Sequence, residues 1–156
     1  MNSQVYHLVF MYGSNLYLKR LRSRASGWNG QSKPAFLPNH ELRFNKRLQK
    51  GKVAANVMPH LTRKVWGIIV ELDDNHLEAM DRYEGHPYHY ERKKIDLFYE
   101  NGSHVSAYVY IAHPQHIIGG KLPTSEYLGY IIRGAKMCGL PSDYINAILA
   151  LGRGIV

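Results

Sequence analysis

The first hydrophobic segment, Tyr6 to Tyr12, is continuous and rich in aromatics, and it predicts a buried strand that ends at Gly13. From Leu16 to Arg24 the apolar residues Leu16, Tyr17 and Leu21 recur among basic ones, the pattern of a short helix with a cationic outer face. Residues Ser26 to Pro38 are rich in Gly, Asn, Ser and Pro and read as a loop. Strands are expected at Glu41 to Asn45, Val53 to Met58 and Val65 to Leu72, the last nearly unbroken in Val and Ile and therefore buried. Asp73-Asp74 opens a helix, with acidic groups where a helix N-terminus is electropositive, and it runs to about Tyr83, burying Leu77 and Met80. Strands over Tyr90 to Tyr99 and Val105 to Ala112 flank Asn101-Gly102, a strong hairpin signal. Thr124 or Ser125 caps a helix through Cys138, Gly139 stops it, and Pro141 to Asp143 begins a last one. Strands fill the first two thirds and helices the last third, an α+β layout with mostly antiparallel pairing. With no repeat, low-complexity tract or linker in between, residues 1–156 read as one domain.

Composition narrows the class. A chain of 156 residues can bury a core of its own, and 45% apolar with 21% charged residues is ordinary for a globular protein. No apolar run approaches the roughly 18–20 residues that span a bilayer. Met1-Asn2-Ser3-Gln4 lacks the basic start of a secretory leader, and the lone Cys138 excludes an internal disulfide. A cytoplasmic protein with no membrane association is the expectation. The net charge of +8 gathers at Lys19, Arg20, Arg22 and Arg24, at Lys46, Arg47, Lys50 and Lys52, and at Arg92 to Lys94. No nucleic-acid module accompanies these clusters, so nucleic-acid binding is not expected. A positive field that steers a small carboxylate-bearing molecule fits them, as does a simple solvated surface.

Most common catalytic signatures are missing. The nine histidines form no spaced ligand set, so no metal is expected, and His86 and His89 around Pro87-Tyr88 read as loop residues. Cys138 lies among apolar helix positions and reads as a packed thiol. Nucleophile-elbow, P-loop and dinucleotide fingerprints do not occur. Two segments stand out instead. Tyr12-Gly13-Ser14-Asn15-Leu16 spans a strand-to-helix junction, where glycine admits a ligand close to the backbone and successive N–H groups suit a carboxylate; a plain helix cap by Ser14 or Asn15 is the alternative. Met80-Asp81-Arg82-Tyr83-Glu84-Gly85 ends a helix on Glu84, where the dipole disfavours an anion. Exposed, Glu84 would be an ordinary fraying end. In a cleft walled by Tyr83, Tyr88 and Tyr90 it would be a carboxylate with a raised pKa.

Taken in order, these segments resemble the γ-glutamylcyclotransferases. Tyr12 to Leu16 resembles the family's substrate-carboxylate loop, Val65-Trp66-Gly67 the strand that follows, and Asp81-x-x-Glu84-Gly85 the catalytic segment, with Tyr90 shortly after and Tyr108 on the next hairpin strand. Tyr127, Gly134-Ala135-Lys136, Gly139-Leu140-Pro141 and Tyr144 resemble the final helical pair. The glutathione-specific branch is similar, but its first motif ends in leucine-isoleucine-tryptophan where this chain has Asn15-Leu16-Tyr17. The resemblance implies a small, partly closed, mixed but largely antiparallel β-barrel with helices around it and a pocket at its mouth. It further implies Glu84 as acid/base and Tyr12, Gly13, Ser14, Asn15, Leu16, Tyr90, Tyr108 and Tyr127 around the substrate, without cofactor. The implied reaction closes a γ-glutamyl amide on itself, releasing 5-oxoproline and an amine or amino acid. A specialised biosynthetic amine or γ-glutamyl-lysine stays open as the substrate, as do a non-catalytic anion-binding role and a homodimer.

Overall fold

Alternating burial resolves the β-rich part of the chain into five strands: β1 (Tyr6–Met11), β2 (Ser32–Arg47), β3 (Val53–Asp73), β4 (Tyr90–Tyr99) and β5 (His104–Ala112). This computed structural model describes residues 4–155. The strands close into a barrel in the order β1-β3-β2-β4-β5. Three neighbours pair antiparallel over long ladders or along a hairpin, namely β1 with β3, β2 with β3 and β4 with β5. The two closing seams are short. β1 meets β5 in parallel at Val9–Tyr108 and Phe10–Val109, and β2 meets β4 at Ala35–Tyr99 and Phe36–Phe98. The barrel is therefore sealed over a short stretch and splayed elsewhere, and a cavity opens where the strands part. Phe10, Leu37, Ile68, Leu72 and Leu97 are fully buried in its core.

Two boundaries differ from the sequence pattern. The stretch read as a loop from Ser26 to Pro38 already belongs to β2 from Ser32 onward. Pro34 and Pro38 lie four residues apart, so the N–H each lacks would have faced the same edge of the strand. β2 keeps only a two-residue ladder with β4, so an edge without donors costs little there. The segments Val53 to Met58 and Val65 to Leu72 are one strand, β3. Its polar middle is extruded: Pro38 pairs with Lys64 and His40 with Pro59, leaving residues 60–63 opposite Asn39 alone. Asn39 adopts a left-handed φ of 56°, and its Nδ2 donates to the Leu61 carbonyl at 2.9 Å.

Four helices pack around the barrel: α1 (Leu18–Arg24), α2 (Asp74–Glu84), α3 (Ser125–Met137) and α4 (Ser142–Gly152). Among the described residues no helix is long and apolar enough to cross a membrane. Asp73 caps α2 by accepting the His76 N–H, and Thr124 caps α3 by accepting the Tyr127 N–H. Gly85 ends α2 in the left-handed conformation (φ 70°), with His86 N–H bonded to the Asp81 carbonyl and Gly85 N–H to that of Arg82. That Schellman arrangement stops the helix one residue after Glu84. Between β1 and α1 the chain makes a single 3-10 turn, Ser14–Leu16. α3 lies directly on this turn, because Gly134 brings its backbone so close that a Cβ there would sit 2.3 Å from the Leu16 carbonyl carbon.

Gly134→Ala should therefore destabilise the protein by about 1–3 kcal/mol, the usual range for overpacking a tight contact. Urea denaturation of the two proteins measures it; an unchanged midpoint would mean that α3 can move away freely.

Candidate active site

The strands part around a cavity of about 430 Å³, walled by the turn after β1, Arg20 and Arg24 of α1, the end of α2, and residues of β2, β3, β4 and β5, with Tyr127 from α3. Glu84 lies in this wall, half-buried. It arrives there because the helix behind it is fastened. Arg92 of β4 grips the Asp81 carboxylate through both oxygens, at 2.9 and 3.1 Å, and the Tyr110 hydroxyl of β5 donates to the same group at 2.6 Å. Asp81 is one helical turn before Glu84, so the pair fixes both the height and the rotation of the last turn.

Burial lifts the Glu84 carboxyl to about 7. Arg24, a hydrogen bond from Asn15, Lys46 and Arg20 pull the other way without overcoming it. Asn15 Nδ2 donates to Glu84 Oε1 at 3.4 Å, and Asn15 Oδ1 accepts from Arg24 Nη1 at 2.8 Å. Arg24 also donates to Ser14 Oγ at 3.3 Å and stacks on Tyr83, 3.8 Å from the ring centre. Arg20 donates to the same Ser14 oxygen at 3.2 Å. The turn is thus braced by two guanidinium groups. The backbone N–H groups of Gly13, Ser14 and Asn15, at the edge of the cavity, find no acceptor among the described residues.

Three tyrosines from the sequence analysis meet here. Tyr12 donates to the Tyr110 carbonyl, and Tyr90 donates to the Ala55 carbonyl at 2.6 Å. Tyr127 differs. Its hydroxyl oxygen accepts the Ala55 N–H at 2.8 Å, and its own proton has no acceptor among the described residues. Burial raises this hydroxyl to about 12, so it stays protonated and available as a donor at neutral pH. A Cβ placed on Gly13 would lie 3.5 Å from it, which sets the hydroxyl beside the unbonded amides.

Three expected residues are elsewhere, the first of them Tyr88, which is largely exposed and does not line the cavity. Leu16 is fully buried beneath α3, and its N–H is taken by the Gly13 carbonyl, so it supports the turn from below. Tyr108 does not line the cavity; its ring packs on the Arg92 guanidinium at 4.3 Å and near His7. The tyrosine two positions on, Tyr110, lines it instead. Arg20, Arg24 and Lys46, which the sequence analysis counted only among basic clusters, line the cavity as well. The first two are four residues apart on one helix, and Lys46 continues the inward phase of Leu42 and Phe44, so both signals were present. Nothing in the sequence marks Asp81 as the partner of Arg92. Among the described residues no three His, Cys, Asp or Glu side chains come together as a metal site.

Comparison with known proteins agrees with this architecture. The sequence family described as gamma-glutamyl cyclotransferase, AIG2-like, matches residues 9–128. A protein of Methanocaldococcus jannaschii, provisionally named a gamma-glutamylcyclotransferase, is 28% identical over 108 residues, covering 65% of this chain and 81% of its own. A solved gamma-glutamyl cyclotransferase superposes with a TM-score of 0.84 at 23% identity, over 94% of this chain and 88% of that one. A human protein described as uncharacterized gives 0.83 at 24% identity, over 93% and 87%. A yeast gamma-glutamyl cyclotransferase specific to glutathione gives 0.70 at 12% identity, over 97% of each chain.

The raised Glu84 carboxyl carries a stability consequence with a definite sign. Its folded value, about 7, lies above the 4.5 of a free side chain, so the folded protein holds the proton more tightly than the unfolded chain. The stabilising contribution is complete below pH 4.5 and is lost as pH rises through 7, by up to about 3 kcal/mol. Glu84→Gln, neutral throughout, should therefore gain stability relative to the parent as pH rises from 5 to 8 in urea denaturation. A constant difference would mean that the carboxyl titrates normally.

Proposed function

The chain belongs to the gamma-glutamyl cyclotransferase, AIG2-like family, and we propose from that premise that it cyclises γ-glutamyl amides, releasing 5-oxoproline and a free amine. The observation that carries this reading is a carboxyl near neutrality, Glu84, beside three main-chain amides and one hydroxyl proton that find no acceptor among the described residues. A γ-glutamyl amide brings its own nucleophile. Its α-amine reaches the γ-carbonyl through a five-membered ring, and such attack has an effective molarity of about 10⁵ M or more once the chain is held folded. The protein has to clamp the substrate and move protons.

The amides of Gly13, Ser14 and Asn15 hold the α-carboxylate, with Arg20 and Arg24 adding positive charge behind them. Ionised Glu84 takes a proton from the α-ammonium, and the freed amine adds to the γ-carbonyl. The Tyr127 hydroxyl donates to the oxyanion that forms. Protonated Glu84 then gives its proton to the leaving nitrogen, the C–N bond breaks, and the second proton of the ring nitrogen passes through the restored Glu84 carboxylate to the freed amine, so that 5-oxoproline and an ammonium ion depart. A group with a pKa near 7 serves both transfers, because each protonation state is populated at neutral pH.

Glu84→Gln keeps the shape and removes the base, so 5-oxoproline release from a panel of γ-glutamyl amides should fall by roughly 10²–10⁴-fold with the fold intact by circular dichroism. Retention of most activity would remove Glu84 from this role, and glutamate as the product would replace cyclisation with hydrolysis. Tyr127→Phe should lower kcat by about 10²-fold with KM little changed, as for loss of one oxyanion donor. A loss confined to KM would make Tyr127 a binding residue only.

A further inference from the structure

The barrel has a second mouth. The strands that wall the catalytic cavity send their other ends to a separate cavity of about 620 Å³, lined by Tyr6 and Leu8 of β1, Lys33 of β2, Ile69 and Glu71 of β3, and Tyr99 of β4. Two residues further along β1 and two back along β4, on the same inward phase, Phe10 and Leu97 are fully buried, as is Leu37 of β2. The two cavities share no lining residue.

Four charged or imidazole side chains line this second cavity: Lys33, Glu71, Asp73 and His76. Two are committed. Asp73 accepts the His76 N–H at 2.8 Å and a bond from Gln4 Nε2 at 2.9 Å, while His76 Nε2 contacts the Ser26 carbonyl at 3.0 Å. Lys33 and Glu71 are not. Lys33 pairs with Ile69 in the ladder, so Glu71 is its diagonal neighbour on the same face, a position from which long side chains of opposite charge can meet. Neither enters an ion pair among the described residues. The Lys33 ammonium lies instead over the Tyr99 ring, 4.3 Å from its centre.

Beside these two charges stands an apolar wall. Trp28, 4% exposed, donates from Nε1 to the Glu71 carbonyl at 2.9 Å, and Gly30 folds back onto the indole, where a Cβ would lie 3.1 Å from Nε1. Tyr6, Leu8 and Tyr99 extend that wall across the mouth. A barrel mouth with mostly apolar walls and a few placed polar groups has the make-up of a small-molecule site. A ligand that satisfies both free charges carries an anion and a cation close together, and one that covers the wall carries a large apolar body. We propose that this mouth binds a free α-amino acid with a large apolar side chain, its carboxylate on Lys33, its ammonium on Glu71 and its side chain against the wall. None of these residues takes part in the reaction proposed above, so the two sites answer to different experiments.

L-Phenylalanine is titrated calorimetrically into the full chain, with N-acetyl-L-phenylalanine, phenethylamine and glycine as ligands that lack the ammonium, the carboxylate and the side chain in turn. Phenylalanine should bind roughly 10-fold or more tighter than either ligand of single charge, the low end for a hydrogen bond to a charged group. It should exceed glycine by a similar factor, through the apolar area that glycine does not bury. Lys33→Met and Glu71→Gln change exposed side chains and should keep the fold by circular dichroism, yet each should weaken phenylalanine by roughly 10-fold. Glu84→Gln should leave that affinity unchanged. No binding at about 10 mM phenylalanine, ten times a millimolar Kd, overturns the inference. Equal affinity for any of the three truncated ligands overturns it too, since one charge or the wall would then be idle. So does a loss in Glu84→Gln with none in Lys33→Met, which puts the ligand in the catalytic cavity.

Discussion

The grip of Arg92 and Tyr110 on the Asp81 carboxylate is the interaction on which the site depends. A helix end frays readily, and a carboxylate on the last turn of α2 would drift into solvent if nothing held the turn before it. A bidentate guanidinium contact resists rotation as well as translation, which one point charge does not do. The left-handed Gly85 then turns the chain away at once, ending the helix on Glu84. Strands β4 and β5 thus set the position of the reactive group through Asp81.

The electrostatics follow from that placement. Glu84 is pushed toward neutrality by burial, and it keeps a working pKa only because Arg24, Asn15, Lys46 and Arg20 oppose the push. Arg24 and Lys46 are themselves destabilised as cations by the same burial. The cavity is therefore strained by charge in a way that an anionic guest relieves, and the barrel core beneath it bears the cost of holding it so.

Much of this was legible in the sequence where one local signal sufficed. The Asn101-Gly102 turn, the Asp73 cap and the glycine after Glu84 each place an element boundary by short-range geometry, and the ordered motifs led to the family. Long-range facts were not legible. Whether residues 53–73 form one strand or two depends on a bulge that Asn39 stabilises from the neighbouring strand. Tyr108 and Tyr110 have the same residue type and the same strand phase, and only the position of α2 decides which of them reaches the cavity. Leu16 belongs to the right motif, yet its side chain is claimed by the packing of α3 on the turn.

The hydroxyls of Tyr12, Tyr90 and Tyr127 end on main-chain atoms of strands other than their own neighbours in sequence, so the cavity walls double as tie-beams across the open end of the barrel. Widening the chamber would mean cutting a beam, and its inner dimensions are in that sense frozen. Variation among descendants of this fold would then be expected at the rim, where Leu48, Arg82 and Tyr83 carry no such duty. New guests would be admitted by changing the doorway while the room stays as it is.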